Sequence, residues 1–339
     1  MYSLTKTIGH THAIPTITPT SVDIKTILIS RPNHRLGNLL LITPLLQEVI
    51  ATFPQCKIDL FVKGNLAPTL FRNYQNINEI IQLPNKPFKH LLKYVRGWIL
   101  MKKKRYDIVI NTVKSSSSGR LSIKFANSKY KVFGDIDLGT PLKGKDNEHI
   151  AKHPVYNFRN YLTKLGFTIH HKPVPSLDLK LSPLEVAEGK EILKKLVNNE
   201  RKTICLFTYA TGDKCYSQSW WTKFYERLKI EYSNHNIIEV LPIQNVSMLS
   251  FKATWFYSKD VRQIGSVIAN TEVFVGADSG MMHLASSVQT PTIGLFSVTD
   301  PNVYGPYNNH SAAIKQDDND INECINVVTR ILTPELSTA

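Results

Sequence analysis

The chain has 339 residues, 42% of them hydrophobic, and 41 Lys and Arg against 27 Asp and Glu, a net charge of +14. That length suits a soluble globular protein with two cores rather than one. Cys56, Cys205, Cys215 and Cys324 form no CxxC pair, no stretch reaches the roughly 18 apolar residues of a membrane span, and the amino terminus lacks an apolar signal core. Disulfide-rich, transmembrane and secreted classes are excluded, and a reduced, cytoplasmic protein is expected.

Residues 1–21 read as a loose, Thr-rich tail. From Lys25 strand and helix alternate. KTILIS is a β-branched run and a candidate buried strand; it leads through RPNHRLGN into LLLITPLLQEVIATF, whose apolar residues recur at helical spacing. KIDLFV, NEIIQLP, YDIVINTV and KYKVFG follow as strands with helix-length segments between them. Strand and crossover repeated in this way predict a parallel sheet with helices on both faces.

Between Asn85 and Tyr106 lie Lys86, Lys89, Lys93, Arg96, Lys102, Lys103, Lys104 and Arg105 with no acid among them, interleaved with Phe88, Leu91, Leu92, Val95, Trp98, Ile99, Leu100 and Met101. The spacing predicts a helix with an apolar stripe and a basic face, suited to an anionic inner-membrane surface or a phosphorylated glycolipid. An ordinary helix packed on a sheet, its lysines solvated, accounts for the pattern equally well. Nucleic acid is not expected, because no nucleic-acid module accompanies the segment.

A second series begins after the Pro-punctuated stretch from Lys172 to Pro183. Its strands are TICLFTYA, NIIEVLPI, EVFVGA and TPTIGLFSV, and its helices include SWWTKFYERLKIEY, DVRQIGSVIAN and MMHLASSV. Trp220 and Trp221 fit the core face of the first of these helices. DDNDINECINVVTRIL closes the chain as a helix with acids at its start and Arg330 at its end, as the helix dipole favours. Open parallel sheets bind ligands outside the carboxyl ends of their strands, so two such sheets are expected to work across a cleft between them.

Three strand-to-helix turns have the form of anion sites. In the first, Arg31 to Asn38, Gly37 permits a tight turn and Arg31, His34 and Arg35 favour an acidic ligand; the plain alternative is an ordinary loop. In the second, TYATGDKCY, Thr208, Thr211 and Lys214 are able to donate to phosphate oxygens. The third, EVFVGADSGMMHLASS, passes from a buried strand to a helix near Ser279. There Asp278 and Ser279 are capping types, and the N–H groups of Ser279, Gly280 and Met281 would face an anion such as a diphosphate. Its plain alternative is that Asp278 only caps the helix and His283 is a core histidine.

Other signals are weaker. Neither a G-x-G-x-x-G fingerprint nor a phosphate loop is present, and Gly-Ala-Asp-Ser-Gly is not a nucleophile elbow. Asp135 and Asp137 form a D-x-D, and His149 and His153 stand at helical spacing, but neither pair has the companions that would make a metal site. No metal is expected.

GADSGMMHLASSVQTPTIGLFSVTDPNVYGP resembles the carboxyl-terminal signature of the glycosyltransferase family 9 heptosyltransferases: Asp, Ser or Thr, Gly, two variable residues, His, then a strand with Thr-x-Pro and Gly-Pro. RLGNLLLITPLLQEV resembles the family's first β-α turn, and DKCYSQSWWTKFYERL its Lys-containing loop and Trp-containing helix. The matches keep the family's order over roughly residues 25–330. The resemblance implies an α/β protein of GT-B fold, two Rossmann-like domains with parallel sheets facing each other across a cleft. It places an acceptor domain at 22–175, a nucleotide-sugar domain at 176–316, and at 317–339 a helix packing back on the first domain.

It also implies inverting, metal-independent transfer of a heptose or related sugar. The donor would be a nucleotide diphosphate sugar such as ADP-heptose, and the acceptor a lipopolysaccharide-core or other lipid-linked envelope glycan, with no cofactor. The expected location is cytoplasmic, peripheral on the inner face of the cytoplasmic membrane through the basic segment 86–105. By position, Thr208, Thr211 and Lys214 would hold the diphosphate beside Ser279, Gly280 and Met281, with Asp278 and His283 shaping the turn, and Arg31, Arg35 and Gly37 would lie on the acceptor side. Where the family commonly has Gly-Asp, with the Asp proposed as the catalytic base, this chain has Gly37-Asn38. An amide cannot take the proton. His34 is then the candidate base and Asn38 an orienting group; alternatively the protein is a non-catalytic nucleotide-sugar or glycolipid binder, or, more remotely, a sugar-nucleotide epimerase. The segment after NIIEVLPI also lacks the acid expected to contact a donor ribose.

Overall fold

The computed structural model describes residues 11, 23–135, 148–168, 172–307, 309–315 and 321–333. Asp137 and the acids Asp317, Asp318 and Asp320 before the closing helix lie outside the described residues. The chain divides into two compact units, residues 1–175 and 176–339. Each is built on one wholly parallel sheet.

The first unit comprises β1 (Thr26–Arg31), α1 (Leu36–Leu40), α2 (Thr43–Thr52), β2 (Lys57–Lys63), α3 (Ala67–Leu70), β3 (Ile77–Leu83), α4 (Leu91–Lys103), β4 (Arg105–Asn111), α5 (Ser117–Phe125), β5 (Asn127–Val132) and α6 (Lys152–Lys164). Its strand order is β3-β2-β1-β4-β5, so the chain reverses direction across the sheet between β1 and β4. The central strands are buried on both faces, which is why they appear in the sequence as continuous β-branched runs. The long helix expected over LLLITPLLQEVIATF is broken into α1 and α2. Pro44 at the start of α2 has no N–H to continue a preceding helix and is suited to the first turn of a new one.

The second unit comprises α7 (Pro183–Val197), β6 (Thr203–Phe207), α8 (Gln218–Glu231), β7 (Asn236–Val240), β8 (Thr254–Phe256), α9 (Val261–Ile268), β9 (Val273–Ala277), α10 (Gly280–Ser287), β10 (Thr292–Phe296), α11 (Pro301–Tyr304), β11 (Ala312–Lys315) and α12 (Ile321–Leu332). Strand order is β11-β10-β9-β6-β7-β8, with the reversal between β6 and β9. Trp220 and Trp221 are buried on α8 and meet edge-to-face at 5.0 Å, with Phe224 stacked on Trp220. Such aromatic pairs add about 0.5–1.5 kcal/mol beyond the area they bury. The closing helix α12 sets Cys324, Ile325, Val327 and Val328 into this same core.

Two features hold the layers of the second unit. Arg262 on α9 is 1% exposed and donates to both Glu185 oxygens, at 2.6 and 2.9 Å, and to the carbonyls of Leu179 and Lys180. That guanidinium holds the Glu185 carboxyl well below the usual carboxylate range. Beside it α7 crosses α9 at Gly189, where a Cβ would stand 2.2 Å from the Ser266 carbonyl oxygen. Only a glycine permits that approach.

Candidate functional site

In each sheet the reversal point opens at the carboxyl ends of two neighbouring strands, the place where doubly wound sheets take ligands. In the second unit those strands are β6 and β9, and the turns that follow them are the Lys214 loop and the Asp278 turn. Residues 64 positions apart in sequence meet there: Lys214 Nζ lies 2.5 Å from Asp278 Oδ2. Asp278 is 6% exposed and also accepts from the Thr299 hydroxyl, while Lys214 is half-buried. The buried carboxylate fixes the lysine at the rim of the turn and leaves its remaining N–H donors for a ligand.

Ser279 is the extended N-cap of α10, and its hydroxyl accepts from Met282 N–H at 3.4 Å. The backbone N–H groups of Gly280 and Met281 stand in the first turn, where no intrahelical partner exists. Ser279, Gly280 and Met281 are half-buried, whereas His283, one turn further, is buried under the turn. An anion at this end would meet the positive pole of α10 and the lysine together.

The Lys214 loop is braced from two sides. Gly212 takes left-handed backbone (φ +63°) within the short helical turn Gly212–Lys214, with the exposed Thr211 as its N-cap residue. Ser297, after β10, donates to the Asp213 carbonyl at 3.2 Å. Thr208, expected to reach phosphate, is 1% exposed; its hydroxyl donates to Glu239 and accepts from Met248 N–H at 3.1 Å. Glu239 is fully buried near the end of β7 and also accepts from Ser247. Burial pushes its carboxyl above the usual value, against the pull of the two hydroxyls and the Met248 N–H. Thr208 thus links the Lys214 loop to the segment after β7.

In the first unit the turn after β1 is tied to the end of β2, the Asn33 carbonyl accepting Lys63 N–H at 3.2 Å. Arg31 is 6% exposed and turned inward, its Nη2 donating to Asn38 Oδ1 at 2.5 Å and its Nε to the Asn38 carbonyl at 3.2 Å. Asn38 Nδ2 reaches Asn33 Oδ1 at 3.3 Å, and the same oxygen accepts Arg35 N–H. Gly37 does not make the tight turn: it is a buried residue within α1 and takes no left-handed backbone. His34 and Arg35 are exposed. Asn38 is therefore a fixed amide, and His34 the solvent-facing titratable group beside it.

Thr299, Ser297 and Glu239 were not singled out from sequence; an acid inside the apolar run NIIEVL was the available signal. Across the first reversal point, the turn after β4 was missed as well: Asn111 bonds the carbonyls of Val113 and Phe133, and Ser116 caps α5. Of the two pairs set aside as metal sites, Asp137 lies outside the described residues. Asp135 accepts from Thr11 and Arg120; although burial opposes it, those bonds hold its carboxyl below the usual value. His149 Nδ1 accepts Ala151 N–H at 3.2 Å, while burial and nearby Lys114 lower His153. No group of three or more His, Cys, Asp or Glu able to hold a metal occurs among the described residues.

Residues 259–330, which carry the Asp278 turn and Thr299, match glycosyltransferase family 9 (heptosyltransferase). Lipopolysaccharide heptosyltransferase 3 of Escherichia coli is 22% identical over 303 residues, covering 81% of this chain and 84% of that one. Among solved structures, a family 9 glycosyl transferase from Veillonella parvula superposes with a TM-score of 0.65 at 18% identity, over 87% of this chain and 86% of the other. The ADP-heptose lipopolysaccharide heptosyltransferase II of E. coli gives 0.64 at 16% identity, over 92% and 99%. The chain is glycosyltransferase family 9-like, and its two parallel sheets with flanking helices are GT-B-like.

Proposed function

From this likeness to family 9 we propose that the protein is an inverting glycosyltransferase that moves a heptose or related sugar from a nucleotide diphosphate donor of the ADP-heptose kind to a lipopolysaccharide-core or other envelope glycan. The observation that carries the proposal is the Lys214–Asp278 pair at the β6/β9 reversal point, beside the start of α10, with Asp278 inside the stretch that matches the family. An acceptor hydroxyl oxygen attacks the anomeric carbon as the bond to the diphosphate breaks, inverting that centre. The leaving diphosphate takes the bonding electrons, and its charge is met by Lys214 and the N–H groups of Ser279, Gly280 and Met281, electrostatic work that a divalent cation would otherwise perform. The hydroxyl proton passes to His34, and Asn38, locked by Arg31, orients the acceptor.

Incubation with ADP-heptose and a truncated lipopolysaccharide core tests this directly. The account expects release of ADP together with a heavier core glycan, abolished in Lys214→Ala. A second reading, a non-catalytic nucleotide-sugar binder, is favoured by the amide at Asn38. Tight donor binding with no transfer to any core acceptor would establish that reading in place of the first.

A further inference from the structure

Helix α4 has two apolar stripes, and only one is used by the fold. Tyr94, Gly97, Trp98 and Met101 face the first sheet: Met101 is buried with Phe61, Ile81 and Leu83, and Trp98 meets Phe61 edge-to-face at 5.2 Å. The other stripe is Leu92, Val95 and Ile99, all exposed, which at 100° per residue lie within an arc of about 60°. Phe88, in the turn before the helix, is 98% exposed, and Leu92 is 89% exposed. Exposure of this kind is costly in water unless something covers it.

The surroundings identify the cover. Lys86, Lys89, Lys93, Arg96, Lys102, Lys103 and Arg105 are exposed around this stripe, and among the described residues none forms an ion pair with an acid. Apolar side chains bordered by solvated cations are the pattern of a helix lying in the plane of an anionic lipid surface. With 13 residues, about 20 Å, α4 is too short to span a bilayer, and no helix of the described residues is long and apolar enough to do so.

The stripe also stands at a meaningful place. Parallel strands put the start of every following helix at the same sheet edge. A Cβ at Gly64, after β2, would meet His34 Cβ and Asn85 Oδ1 at 3.0 Å each, so the ends of β1, β2 and β3 converge there. Phe88 follows three residues after Asn85, on the edge that carries the His34 turn.

We infer that the segment 86–103 is a membrane-docking face, with Phe88, Leu92, Val95 and Ile99 inserted among acyl chains and the surrounding lysines and arginines on anionic headgroups. The first unit then rests on the lipid surface at the edge that bears His34. The inference stands on exposure and charge alone and is independent of the transferase reading.

Co-sedimentation with vesicles tests it. The full chain is expected to pellet with mixed phosphatidylcholine and phosphatidylglycerol vesicles and to stay in solution with phosphatidylcholine alone. Phe88→Ser with Leu92→Ser lowers partitioning by roughly tenfold per side chain. Lys89→Gln, Arg96→Gln and Lys103→Gln together lower it by about fivefold per charge. All five side chains are exposed, so folding is expected to persist, with circular dichroism as the check. Lys190→Gln, Lys195→Gln and Lys223→Gln in the second unit remove the same charge elsewhere and leave partitioning nearly unchanged. The inference is overturned if the wild type ignores anionic vesicles at low salt, if the two serines change nothing, or if the distant substitutions act as strongly as the local ones. Sedimentation velocity on the wild type and the serine variant covers the other occupant: a dimer that the serines dissociate would assign the face to a second copy and overturn the lipid assignment.

Discussion

Replacing Lys214 removes more than a hydrogen bond. Lys214 and Thr299 together answer the buried Asp278 carboxylate, and the lysine–aspartate pair has no net charge. Lys214→Ala therefore deletes a charge-assisted donor to the diphosphate, about 1.5–3 kcal/mol. It also leaves a carboxylate facing an anion. At roughly 6 Å and an effective dielectric of about 20, that repulsion is about 3 kcal/mol before water enters the vacated space. Allowing for that screening, the net loss is about 3–4 kcal/mol, on the order of 10²- to 10³-fold in Kd. Titration calorimetry with the preferred nucleoside diphosphate measures it. Lys214→Ala combined with Asp278→Asn still lacks the lysine donor but removes the repulsion, so the double variant is expected to regain roughly half of the lost free energy. Unchanged affinity in Lys214→Ala refutes the site. A double variant that binds more weakly than the single one refutes the electrostatic argument, because Asp278 would then be helping the ligand directly.

Further expectations follow from the same geometry. His34→Ala lowers kcat by about 10²-fold or more while donor affinity stays the same, and undiminished turnover removes His34 as the base. Arg262→Met leaves Glu185 buried without its partner and costs about 3–5 kcal/mol in urea unfolding; a loss under about 1 kcal/mol would contradict the network. Because the folded Glu185 carboxyl titrates below its unfolded value, its contribution is present above the ordinary glutamate range, near pH 4.3, and disappears as pH falls toward the folded value. Acid-unfolding curves of Glu185→Gln are accordingly flatter than wild type across that window. For Glu239 the sign is opposite: burial raises the folded value, so its ionisation costs stability as pH rises from the unfolded to the folded value. Glu239→Gln is thus neutral or stabilising at pH 8 in thermal unfolding, and a loss above about 2 kcal/mol would show that the charged form is needed.

What the sequence made legible follows from what is local. Buried central strands such as Thr203–Phe207 and Val273–Ala277 carry their signal in consecutive residues, and the turns after them were found for that reason. The edge strands Thr254–Phe256 and Ala312–Lys315 were not found, because three or four half-exposed residues carry no period. The side chains themselves were less legible. Arg31 and Thr208 have the chemistry of phosphate ligands, but each sits where burial turns it inward, Arg31 onto Asn38 and Thr208 onto Glu239. The Lys214–Asp278 pair depends on β6 and β9 being neighbours, a fact of topology that no local pattern contains. In α4 the sequence showed one apolar stripe where the structure has two, since periodicity reports the presence of apolar side chains but not which of them find a neighbour.

The most direct test of the central claim is a binding panel of ADP, GDP, UDP, CDP and CMP, with magnesium and with chelator, on the wild type and Lys214→Ala. The account predicts that one diphosphate is preferred, that it binds equally with and without magnesium, and that Lys214→Ala weakens it by about 10²-fold or more. Absence of binding to every nucleotide, or binding that Lys214→Ala leaves untouched, would contradict it.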